Sequence, residues 1–153
     1  MKKFIFPLES VLAAKRLLEQ EAKKNLAQAE AHLSREEQRQ NELNQEKERA
    51  LNSWYELVQN GFRSQSLLQE VHHINVLREQ IEQQHSITER ARQTRNLCQE
   101  QLRERFMEVK SLKTLRDQQF AAYLADEARE KDKTMDEFVS GAFRRAVQLG
   151  GHV

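Results

Sequence analysis

The residue types that perform acid, base, nucleophile or metal chemistry are all present in this chain, but their spacing keeps them apart. His72 and His73 are neighbours, so on a helix they point about 100° from one another. His32, His85 and His152 fall at no interval that would bring them to one metal ion. Solvated histidines are the expected outcome at all five positions. The 24 Asp and Glu residues alternate with 25 Lys and Arg, the pattern of ion-paired helix faces. An antiparallel pair of helices offers no pocket in which two carboxylates could take separate acid and base roles. Cys98 is the single cysteine; it can form no internal disulfide, has no metal-ligand spacing, and reads as a small apolar seam residue in a reducing compartment. Neither GxGxxG nor GxxxxGK[ST] occurs, so no nucleotide, metal or other cofactor is expected, and neither is catalysis.

The elements that carry these residues are helical by composition. One Pro and four Gly in 153 residues, with 32% charged residues, leave few turn formers, and Glu, Gln, Lys, Arg, Leu and Ala all enter helices at low cost. A net charge of +1 with interleaved signs argues against nucleic acid as a partner. The locally basic "ERARQTR" lacks interleaved aromatics and reads as an ion-paired face. No run approaches the roughly 20 apolar residues of a membrane span, and "MKKFIFPLES" is too short in apolar residues for a secretory signal. A cytoplasmic protein without direct membrane insertion is expected.

Two stripes at alternating steps of three and four organise the chain. The first runs through Leu8, Leu12, Ala22, Leu26, Ala29, Leu33, Leu43, Ala50, Trp54 and Leu57, with polar positions at Lys15, Glu19, Glu36, Gln40 and Lys47. The second runs through Ile74, Leu77, Ile81, Ala91, Cys98, Leu102, Val109, Leu112 and Tyr123, broken at Gln84, Thr88, Arg95, Arg105, Arg116 and Gln119. Such narrow stripes are coiled-coil seams. Between them Asn60-Gly61 ends a helix, and Ser66 with Gln69 forms a capping box that starts another. The expected fold is all-α: a long two-helix antiparallel coiled-coil hairpin with a C-terminal helical overhang. It forms one domain over 1–153, with helix 1 at about 7–58, a hinge at about 59–66 and helix 2 at about 67–147. Pro7 suits the first helical turn. Trp54, Tyr55 and Phe62 gather near the hinge, where Trp54 is expected to close the end of the seam.

A reversal at Gly61 and Phe62 makes facing residue numbers add to about 123, which sets Glu36 and Glu37 near Arg90 and neighbouring basic residues. Helix 1 then matches its partner as far as about residue 116, and at 1.5 Å per residue some 45 Å of helix 2 overhangs. That overhang carries Phe120, Tyr123 and Leu124, the charged gap "REKDKT", and "KDKTMDEFVSGAFRR", whose Met135, Phe138, Val139, Ala142 and Ala146 share one side, with Phe143 beside them. Burying a large apolar side chain is worth about 1.5–3 kcal/mol, so a bare stripe of this kind is expected to meet another protein.

Two stretches carry a family resemblance. "FIFPLESVLAAKRLLEQEAKKNLAQAE" resembles the opening of the flagellar type III export protein FliJ, and "FMEVKSLKTLRDQQFAAYLADEAREKDKTMDEF" resembles the same family through its "EVK", "LRDQQ" and "MDEF" segments. The O-type stalk proteins of virulence type III secretion share this architecture. The resemblance implies a non-enzymatic coiled coil, similar in shape to the central stalk of rotary ATPases. Its implied partners are a hexameric export ATPase, the cytoplasmic part of an export-gate membrane protein, and export chaperones, on the inner face of the cell membrane. On this chain the implied ATPase contacts are Phe4, Leu8, Leu115, Arg116, Gln119, Phe120, Met135, Asp136, Glu137 and Phe138. The implied gate contacts are Trp54, Tyr55, His73, Leu77 and Gln80. The rival readings are a coiled-coil scaffold and a prefoldin-like holding chaperone, whose strand pairs the hinge is too short to supply.

Overall fold

The computed structural model describes residues 2–61 and 64–151. It contains two helices, α1 (Glu9–Gln59) and α2 (Ser64–Gly150), of 51 and 87 residues. No strand occurs among the described residues. The chain divides into two compact units, one formed by residues 1–16 and 107–153, the other by 17–106. In each, a stretch of α1 packs antiparallel against a stretch of α2.

In the unit of residues 17–106, α1 ends at Gln59 with a backbone bond from Asn60 N to Glu56 O (3.0 Å), and Gly61 takes φ +68°. That left-handed backbone is where a glycine costs least, which is why the helix closes there. The expected reversal residue Phe62 lies outside the described residues. α2 is already helical at Ser64, so Ser66 and Gln69 stand within its first turns and do not form the cap.

Leu43, Ala50, Ile74 and Leu77 form a closed core, against which Leu51, Trp54 and Ile81 pack. Farther from the turn the seam becomes polar. The Gln84 amide donates to the Glu36 carboxylate (2.6 Å) and to the Glu36 carbonyl (3.2 Å), while the Thr88 hydroxyl donates to that same carbonyl (3.5 Å). Gln84 and Thr88 are both buried. A buried amide with partners costs little, whereas one without them would cost about 1–3 kcal/mol, so the layer specifies register. Glu37 meets Arg92 (3.4 Å), one of the basic residues neighbouring Arg90 that were expected here, and Arg92 also holds Glu89 (2.6 Å).

In the unit of residues 1–16 and 107–153, Phe6, Leu12 and Val109 are buried together, with Phe4, Leu112 and Leu115 against them. Lys15 pairs with Glu108 (3.1 Å) and Glu9 with Arg116 (3.7 Å). These numbers add to within a few of 123, the register expected from the turn.

Residues 2–6 are not helical, and the first turn, at Pro7 and Leu8, precedes the helix start at Glu9. A residue outside a helix can advance up to about 3.3 Å against 1.5 Å within one, so this short strap runs alongside α2 well beyond position 116. Phe4 reaches Phe120 (ring centroids 5.2 Å, edge-on) and Tyr123 (5.5 Å), and the Tyr123 hydroxyl donates to the Lys2 carbonyl. The bare part of α2 therefore starts later than a helix-to-helix match implies. From 128 to 151 every residue except the half-buried Gly141 is exposed.

Candidate functional site

Among the described residues no group of His, Cys, Asp and Glu could hold a metal ion. What the structure does present is surface. The apolar residues of the C-terminal stretch remain wet, with Phe138 66% and Phe143 70% exposed, and Met135, Val139, Val147 and Leu149 likewise open. At 3.6 residues per turn, Met135, Val139, Ala142, Ala146 and Leu149 fall on one side of α2, so this is a continuous stripe.

Next to the stripe lies an open groove of about 900 Å3, lined by Lys2 of the strap and by Tyr123, Glu127, Glu130, Met135 and Phe138 of α2, among others. Its ends are aromatic and its middle is acidic. Asp126 is held by Arg129 (3.7 Å), whereas Glu127 and Glu130 make no ion pair among the described residues.

The ten residues implied as ATPase contacts all lie in this unit, in two groups. Phe4, Leu115 and Phe120 are brought together by the strap: Phe4 and Leu115 share the Phe6 cluster, and Phe4 sits on Phe120, which is 43% exposed. Leu8 is exposed beside them in sequence, Arg116 pairs with Glu9, and Gln119 is half-buried. Met135, Asp136, Glu137 and Phe138 form the second group, exposed and roughly 22 Å farther along α2. The groove joins the two groups, running from Tyr123 to Phe138.

The five implied gate contacts lie in the other unit and are not equivalent. Leu77 is only 2% exposed and belongs to the core, and Trp54 is half-buried on that same core, with its ring 5.4 Å from Tyr55. Tyr55, His73 and Gln80 are exposed. Leu77 is therefore a structural member of the group, while Tyr55, His73 and Gln80 offer free side chains. Phe62, expected beside Trp54 and Tyr55, and His152 lie outside the described residues.

Sequence reasoning passed over Tyr123, Glu127, Glu130 and Lys2 as site residues. The signal was present, since Tyr123, Glu127, Glu130 and Thr134 step by four and three, but six of the lining side chains (Lys2, Asp126, Glu127, Glu130, Lys131 and Thr134) are polar and escape a search for apolar stripes.

A helical surface of this kind is assigned by family. The model of the Flagellar FliJ protein family matches residues 3–148. The chain belongs to that family. No curated protein sequence matches it. Among solved structures it is similar to a YscO homolog from Chlamydia trachomatis, at 20% identity and a TM-score of 0.60, over 95% of this chain and 99% of that one. At that identity the likeness extends to the fold alone, a pair of long helices packed against each other. Membership of the FliJ family covers both the strap and the exposed stretch of α2, because the match begins at Lys3 and ends at Gln148. No helix among the described residues is long and apolar enough to cross a membrane.

Proposed function

We propose that this FliJ-family protein is a non-enzymatic component of the bacterial flagellar type III export apparatus, a stalk-like coiled coil that binds the export ATPase and links it to the export gate. The observation that carries this reading is the asymmetry of cover along α2. Seam residues such as Leu77 and Val109 are closed off within the chain, while Met135, Phe138, Val139 and Phe143 are not. Four large apolar side chains left in water forgo several kcal/mol, at about 1.5–3 kcal/mol each, and a surface of that kind is suited to a protein partner.

In this mechanism the protein supplies no catalytic group. The exposed end of α2, with the strap-supported Phe4 and Phe120, meets the lining of the hexameric ATPase and biases contacts between its protomers towards the assembled, hydrolysing ring. Tyr55, His73 and Gln80 face the cytoplasmic part of the gate, and the same coiled coil escorts export chaperones. It works in the cytoplasm, held peripherally at the membrane through the apparatus. Family membership favours the flagellar over the virulence version of this role. The test is turnover of the purified export ATPase at concentrations where ring assembly limits the rate. Addition of the full chain raises turnover several-fold; an unchanged rate at saturating chain contradicts the proposal.

A further inference from the structure

The groove side of α2 carries an arrangement of charge that is complementary to its own reverse. Tyr123, Glu127, Glu130, Thr134 and Phe138 line one groove, and at about 100° per residue the same side continues through Gly141 to Arg145. The structure bears this out locally. The Arg145 Nε donates to the Gly141 carbonyl (3.3 Å), and its guanidinium lies 3.9 Å from where a Gly141 Cβ would stand. Along this one side, carboxylates come first (Asp126, Glu127, Glu130) with Lys131 beside them, Thr134 and Phe138 occupy the middle, and guanidiniums come last (Arg144, Arg145). No acidic residue follows Glu137.

We propose that the free protein pairs with a second copy of itself through this side, the two α2 helices antiparallel about a twofold axis near Asp136. In such an isologous contact each edge of one helix meets the same edge of its mate. Glu127 and Arg145 lie 18 residues apart, as do Asp126 and Arg144. That interval is about five whole turns, so each pair of residues shares one angular position. The twofold axis therefore sets Glu127 of one copy against Arg145 of the other, and Asp126 against Arg144, with every contact made twice. Thr134 falls opposite Phe138, which covers a ring now 66% exposed. Gly141 falls opposite Glu130, where the missing Cβ lets the helices approach closely.

A parallel pairing would oppose acid to acid and base to base, at a cost. Lys131 lines the groove and stands level with Ser140 of the mate in the antiparallel arrangement, so it opposes no like charge there. The Asp126 bond to Arg129 (3.7 Å, both exposed) is a weak internal competitor, while Glu127 and Glu130 have no such partner among the described residues. Because self-pairing covers Phe138, any other protein that binds this side must displace the second copy. The inference rests on charge placement alone and not on the export role.

The test uses two full-length charge-reversed chains, D126R/E127R and R144E/R145E. All four positions are helix-surface residues that support no core contact, and far-ultraviolet circular dichroism confirms that the helices persist. In sedimentation velocity at low ionic strength and tens of micromolar, the natural chain sediments as a dimer. Each reversed chain alone sediments as a monomer, with self-affinity down at least about tenfold. An equimolar mixture of the two sediments as a dimer again, because both sets of contacts are then opposite in sign. The proposal is overturned by a natural chain that stays monomeric, by a reversed chain that still self-pairs (which would assign any dimer to the apolar stripe), or by a mixture that stays monomeric. No ATPase is present, so a failed stimulation assay and a failed pairing assay are separate results.

Discussion

Leu43, Ala50, Ile74 and Leu77 at one place, and Met135, Phe138, Ala142 and Phe143 at another, are apolar residues set at similar helical intervals, yet the first group is closed off and the second lies in water. The difference is the presence of a facing strip of the same chain. Periodicity reports which side chains share a side of a helix. Whether that side is covered depends on what else the chain can bring to it, and beyond the reach of the strap it brings nothing. The covered group holds the protein together; the uncovered group is available for recognition.

That contrast predicts unequal mutational costs. The largest loss should come from Leu77→Ala, which empties a closed core position and lowers stability by about 2–5 kcal/mol, whereas Phe143→Ala, though it removes a larger side chain, stays within about 0.5 kcal/mol. Urea unfolding followed by circular dichroism checks the pair, and equal shifts would erase the distinction between the two groups. Phe4→Ala tests the strap that lies between these extremes. Loss of its contacts with Phe120, Tyr123 and the Phe6 cluster should cost about 1–3 kcal/mol, read as a fall in melting temperature; no change would mean that the strap is not seated.

Within the polar part of the seam, Arg95 is half-buried and its Nε lacks a hydrogen-bond partner among the described residues. Arg95→Leu should raise stability by about 1 kcal/mol, because an unsatisfied donor gives way to an apolar seam contact; a drop would show that the guanidinium has a structural role. Glu9→Ala, which removes the exposed pair with Arg116 (3.7 Å), should change stability by under about 1 kcal/mol and become silent in high salt.

The seam was the most legible feature of the sequence. The residues named for the first stripe, apart from Leu8, are buried or half-buried, and so are the polar exceptions, including Lys15, Glu36, Gln84 and Thr88. This follows because a narrow repeat over long helices leaves few alternative ways to cover it. The register was legible too, since one glycine with one turn fixes the sum of facing numbers. The strap was not: "KFIF" carries no repeat, and its contacts depend on the greater reach of non-helical backbone and on three aromatic rings meeting. The mid-seam pairing was legible as well, since Arg92, which meets Glu37, is one of the basic residues neighbouring Arg90, but the Gln84 and Thr88 bonds to Glu36 were not, because hydrogen-bond partners of buried amides and hydroxyls depend on side-chain rotamers. The acidic groove went unread because its lining is mostly polar and offers no apolar repeat.

The central claim is that the end of α2 recognises the export ATPase while the rest of the chain closes on itself. The most direct measurement is the affinity of purified export ATPase for the full chain and for a chain ended at Arg129, each first melted to compare its seam. The account predicts nearly equal melting temperatures and binding weakened at least about tenfold by the shortening. Equal affinities for the two chains, with both seams intact, would contradict it.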